Sequence, residues 1–107
     1  MLLNKNNETE YLRIMKIIAK DAGYNPDDLK LANDGRHKLE INGIKFGHID
    51  YPDFVLFLIN GDYDEAYKRR RNYLIRTAKM KGKWKNDKYS KNNLARRIIW
   101  FANEKNK

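Results

Sequence analysis

Fifteen of the chain's 23 Lys and Arg residues lie past position 62, and their spacing could do chemistry on an anion. From about Tyr63 to Met80 the pattern predicts a helix ended by Gly82. At 100° per residue, Arg69, Asn72, Arg76 and Lys79 fall on one side, with Tyr67, Leu74 and Ala78 opposite. Donors one to two turns apart can meet successive phosphates, and a guanidinium can do so through two parallel hydrogen bonds. Lys68 adds to this set. Arg70 and Arg71 flank the apolar side, where such a side chain can pack its stem over the core or pair with Asp62 or Asp64.

The segment after Met80 interleaves Lys81, Lys83, Lys85 and Lys88 with Trp84 and Tyr89. Trp84 has two readings: a ring that stacks on a base or sugar, or an anchor that pins the loop to the core. Lys91, Arg96 and Arg97 complete the basic set. Arg96, Arg97 and Trp100 are expected on the polar side of a last helix, where the indole could contact nucleic acid or a second subunit.

The charge is asymmetric. Residues 1–62 carry 8 Lys/Arg against 10 Asp/Glu, a net of −2, while residues 63–107 carry 15 against 4, a net of +11. Like charge concentrated in this way repels itself unless an anion relieves it, and nucleic acids are the commonest intracellular polyanions. A purely solubilising surface would mix both signs, as the first half does. No stretch pairs the basic face with a bulky apolar face free to insert, which argues against an acidic membrane surface as the partner.

Other chemistries find little support. Without cysteine there is no disulfide or thiolate zinc site, and His37 and His48 are isolated, so no metal or other cofactor is expected. No apolar run approaches the roughly 20 residues that span a bilayer, and the polar start Met1–Asn7 does not read as a signal peptide. A cytoplasmic protein is expected.

The elements that must position these side chains are legible in outline. A length of 107 residues suits one domain, with 1–62 as a mixed half and 63–107 as the basic helical half. A first helix is predicted from about Glu8 to Ala22, capped by Asn7 with Glu10 three residues on. Tyr11, Leu12, Met15, Ile18, Ala19 and Ala22 form its apolar stripe, and Gly23 then Pro26 stop it.

Alternating runs at Leu29 and Leu31, at His37, Leu39 and Ile41, and at Ile44 and Phe46 predict a three-stranded antiparallel meander. Asn42-Gly43 is a hairpin turn, and the first helix covers the apolar face. His37 reads as a half-buried strand residue. The unbroken run Phe54–Ile59 fits a short helix with Asp50 as N-cap, Pro52 in the first turn and Asn60-Gly61 as the stop; a fourth strand is the alternative. Ser90 should cap the last helix, running to about Asn103, with Leu94, Ala95, Ile98, Phe101 and Ala102 inward, and the chain should fray after Glu104. The fold class is α+β: one helix, a small meander, then about three helices.

Taken in order, Lys45-Phe46-Gly47, Tyr51-Pro52-Asp53-Phe54, Lys68 to Arg76, Gly82-Lys83-Trp84, Tyr89 to Ala95 and Ile98-Ile99-Trp100 form a pattern. It resembles a family of small proteins, without an assigned activity, from giant DNA viruses of protists and their virophages. The resemblance covers roughly residues 36–101. Members often carry a Tyr-Thr-x-His-x-Asp stretch after the second motif, where this chain has Val55-Leu56-Phe57-Leu58 and no His. What the resemblance implies is a viral context and a DNA-rich workplace, the virus factory of the host cytoplasm; it transfers no catalytic residue.

The expected function is therefore backbone-dominated binding of nucleic acid, double-stranded DNA first, with little sequence preference and no catalysis. One alternative is a metal-assisted nuclease using Asp50, Asp53 and Asp62 with His48 or a nearby Lys. Another is a viral protein-interaction module that turns Trp100 and the basic face toward an acidic protein. A homodimer would double the footprint, although no heptad run marks an interface.

Overall fold

The computed structural model describes residues 1–102. Helix α1 spans Glu8–Asp21, and its inward stripe is Tyr11, Met15, Ile18 and Ala19. The cap differs from the expected capping box. Asn7 is buried and turns its side chain backward, accepting from Asn4 N at 2.8 Å and donating to Leu2 O, so it caps nothing in α1. Glu10 bonds Arg13 instead. At the other end Gly23, at φ 94°, lets Tyr24 N reach Ala19 O and Gly23 N reach Lys20 O, which satisfies the last carbonyls.

Strands β1 (Leu29–Leu31), β2 (His37–Ile41) and β3 (Ile44–His48) form the meander in the order β1-β2-β3, antiparallel throughout. Leu39 lies opposite Phe46 and Leu31, while Ile41 lies opposite Ile44 and Leu29. Asn42 and Gly43 both take positive φ, as a two-residue hairpin turn of this hand requires. Leu29, Leu39, Ile41 and Phe46 join the α1 stripe in one core. His37 is half-buried, with Nδ1 2.7 Å from Asp34 Oδ2.

The run after β3 is helix α2 (Phe54–Ile59), and Phe54, Val55 and Leu56 are buried. Its N-cap is Asp53, which accepts from Leu56 N at 3.1 Å, rather than Asp50. Pro52 thus precedes the cap instead of lying in the first turn.

Helix α3 (Tyr63–Ala78) presents a different stripe from the expected one. Ala66, Arg70, Tyr73 and Thr77, at intervals of four, three and four, face the protein; of the expected stripe Leu74 is half-buried, while Tyr67 and Ala78 are exposed. The reason is tertiary: the C-terminal segment supplies partners for this more polar side. Arg70 donates to Phe101 O at 3.0 and 2.7 Å, Tyr73 stacks on Trp100 at 5.2 Å, and Arg96 donates to Thr77 Oγ1 at 2.6 Å.

Ser90 caps α4 (Lys91–Leu94) through Asn93 N, but the helix then widens into a π turn over Ala95–Ile99, closed by Trp100 N to Ala95 O. A π turn takes one more residue than an α turn and so rotates the succeeding residues out of helical phase. Arg96 and Ile99 become buried, whereas Phe101 and Ala102 are only half-buried. Phe101 has φ 49°, an unfavourable angle for an aromatic residue, and Arg70 holds its carbonyl there. The helix therefore ends near Trp100, short of the end expected near Asn103, because Phe101 leaves helical geometry; the fraying expected after Glu104 lies outside the described residues.

Candidate nucleic-acid interface

The outer face of α3 carries Arg69, Asn72, Arg76 and Lys79, all exposed, with exposed Lys68 and Arg71 beside them. Arg69 Nε pairs with Glu65 Oε1 at 2.6 Å, and that hydrogen bond holds the Glu65 carboxyl below its ordinary range. The pair is solvent-screened and leaves the other guanidinium nitrogens facing water. Arg76 lies 5.4 Å from the centre of the Tyr73 ring, which orients its guanidinium without neutralising it. Burial raises the Tyr73 hydroxyl pKa, with Arg76 and Arg96 opposing it.

Past α3, exposed Lys81, Lys83, Lys85 and Lys91 surround a 3-10 turn at Trp84–Asn86. This turn is tied down from within. Asn93, 1% exposed, donates to Trp84 O at 2.6 Å and Asp87 O at 2.8 Å, and Ser90 Oγ also reaches Trp84 O. Trp84 itself is half-buried; Nε1 donates to Met80 O at 2.9 Å and the Arg96 guanidinium lies 5.6 Å from the ring centre. Of its two readings, the geometry matches the anchor.

Four other cations expected at the interface have structural duties. Arg96 is 5% exposed and donates to Leu74 O and Thr77 Oγ1, and Arg70 serves Phe101 O, so neither points at a ligand from the outer face. Lys88 donates to Gly23 O and lies 4.8 Å from the Tyr24 ring centre. Arg97 is half-buried beside the Tyr24 hydroxyl, whose pKa burial raises. What remains together is the α3 outer face and the 79–91 loop.

Beside that face runs a groove that the sequence did not announce. Two adjoining cavities of about 320 and 380 Å³ share Tyr51, Pro52, Tyr73, Arg76 and Trp100. One reaches Lys38 and Asp53, and the other reaches Lys68 and Asn72 on α3. Lys38 and Asp53, 2% and 1% exposed, form a buried pair with Nζ 3.1 Å from Oδ2. Nζ also donates to Tyr51 O at 2.6 Å, and the Tyr11 hydroxyl donates to Asp53 Oδ2 at 2.6 Å. Burial, reinforced by the Asp53 carboxylate, pushes the Tyr11 pKa well above its ordinary value.

Asp53 had a visible signal, its spacing to Leu56. Lys38 had none, because strand alternation places it on the face away from Leu39 and thus toward solvent. Gly47 makes room for it: at φ 78°, a Cβ there would sit 3.4 Å from Lys38 Cε and 2.9 Å from Ile99 Cδ1.

The carboxylates weighed for metal chemistry do not converge. Asp53 is committed to Tyr11, Lys38 and Leu56 N, Asp62 accepts from Asn60 at 2.6 Å, and Asp50 lies exposed near His48. Among the described residues no three His, Cys, Asp or Glu side chains cluster as a metal site would need. Nor is any helix among them long and apolar enough to cross a membrane.

No family model matches the chain, and neither does any curated protein or solved structure.

Proposed function

We propose that this chain binds nucleic acid, double-stranded DNA first, through phosphate contacts with little sequence preference, and that it performs no catalytic step of its own. The observation that carries this reading is the exposed row Arg69, Asn72, Arg76 and Lys79 on one face of α3, continued by the loop lysines Lys81, Lys83 and Lys85. Sixteen residues make α3 about 24 Å long, enough to follow roughly seven base pairs of a duplex. The row offers charge and donors at phosphate spacing but no compact base-reading motif, so affinity without sequence preference is its natural output. The motif resemblance to small proteins of giant DNA viruses adds a setting in which such a binder would work, the DNA-rich virus factory in the host cytoplasm.

Gel shifts with unrelated 20-base-pair duplexes test the reading. The triple variant Arg69→Ala, Arg76→Ala, Lys79→Ala should weaken all duplexes by a similar factor. Unchanged affinity would place the binding surface elsewhere, and loss confined to one sequence would mean that bases are read.

A further inference from the structure

We infer that the groove between the β3–α2 connection and α3 holds one unstacked nucleotide, its base against Tyr51 and Trp100 and its phosphate at Arg76 and Lys68. The inference rests on the nucleic-acid reading above and names what the same region selects. Binding along the outer face of α3 needs no concavity, yet two adjoining cavities of about 320 and 380 Å³ lie directly beside it. Each is within the size range of small-ligand sites. A base paired within a duplex cannot enter such a space; one that is extruded, bulged or single-stranded can.

The wall is built for a flat ring. Tyr51 is 65% exposed, so its ring has little core duty, and the His48 ring packs beside it at 4.9 Å. Its backbone is nevertheless fixed from inside, because the buried Lys38 ammonium donates to the Tyr51 carbonyl and Asp53 holds that ammonium. An exposed aromatic on a pinned backbone is a stacking platform whose main chain need not be ordered when a base arrives. Trp100 borders both cavities and is itself backed by Tyr73 at 5.2 Å and 20° between ring planes.

The charge is right for a phosphate. The acids at the groove are already engaged, Asp53 by Lys38 and Glu65 by Arg69, while Arg76 and Lys68 are exposed and make no ion pair among the described residues. Aromatic faces beside a guanidinium are how unpaired nucleotides are commonly held.

Fluorescence anisotropy with the full chain and three labelled 20-base-pair probes tests this: an uninterrupted duplex, the same duplex with one bulged nucleotide, and one whose bulge lacks its base. The bulged probe should bind roughly tenfold more tightly than the duplex, as one stacked base would give. The baseless bulge should not. Tyr51→Ala should erase the preference while leaving duplex affinity within about twofold; exposure of the ring makes this change compatible with folding.

A bulge bound no better than duplex, a preference that survives Tyr51→Ala, or equal binding of the baseless bulge would overturn the inference; the last would mean that bendability is being read. In each of those cases duplex binding stands. Failure to bind any of the three probes would remove the backbone reading, and the nucleotide site with it.

Discussion

Replacing Lys38 by Met should destabilise the protein by about 2–3 kcal/mol. Met keeps an unbranched stem of similar length in the space beside Gly47, so the change removes the ammonium and little else. Two contacts go with it: the hydrogen bond to Tyr51 O at 2.6 Å and the ion pair to Asp53 at 3.1 Å. Removing one member of a buried pair costs about 3–5 kcal/mol, because the other charge stays buried without its counterion. Asp53 keeps two donors, the Tyr11 hydroxyl and Leu56 N, which puts the expectation below that range. For a domain of this size the thermal midpoint should fall by roughly 10–20 °C.

The partner variant gives the sharper measurement. In the double variant Lys38→Met, Asp53→Asn the orphan charge is gone, while Asn can still accept from Leu56 N. Stability should therefore recover by at least about 1 kcal/mol over Lys38→Met alone. Urea unfolding followed by circular dichroism at pH 7 reads both. A Lys38→Met midpoint equal to that of the parent, or a double variant at the plain sum of the two single changes, would show that this ion pair is not a buried, coupled unit.

Arg96→Lys should destabilise by about 2 kcal/mol, since the shorter Lys side chain stops short of the Nη1 position that donates to both Leu74 O and Thr77 Oγ1 and loses the planar group beside the Trp84 ring, whereas Arg69→Ala should leave the urea midpoint unchanged. Against salt, the slope of log affinity for duplex should shrink by about 2.7 in the Arg69, Arg76, Lys79 triple variant, three released counterions at about 0.9 each; an unchanged slope would refute the assignment of those phosphate contacts. Tyr11 holds its proton more tightly folded than unfolded, so its contribution to stability is complete below about pH 10 and is lost as pH rises from there toward the folded value. Thermal midpoints between pH 8 and 11.5 should fall less steeply in Tyr11→Phe than in the parent. Gly47→Ala should cost about 1–2 kcal/mol by chemical denaturation, chiefly from forcing a Cβ into the left-handed region at φ 78°.

Local pattern was enough for the α+β class, the α1 stripe, the Asn42-Gly43 hairpin and the Ser90 cap, and it favoured helix over strand for Phe54–Ile59 while misplacing that helix's cap. Each depends on interactions within a few residues: repeat spacing, a turn that needs positive φ, a side chain reaching three positions on. The outer face of α3 was legible for the same reason, because residues that share a helical face are set by geometry alone. What each face would meet was not. The apolar wheel of α3 favoured Tyr67, Leu74 and Ala78; Leu74 is half-buried, but Tyr67 and Ala78 are exposed, and partners brought up by the C-terminal segment turn Arg70, Tyr73 and Thr77 inward instead.

By itself the amino-acid sequence determined where charge accumulates and which short segments become helix or strand, since both arise from composition and nearest-neighbour geometry. Only the tertiary structure decided which cations stay in water. A π turn drew Arg96 into the interior, Phe101 captured Arg70, and Lys38 was buried against Asp53 from a strand position whose parity points outward. The fate of a charged side chain depends on whether an acceptor elsewhere in the fold can offset its desolvation, and chain folding alone brings that acceptor within reach.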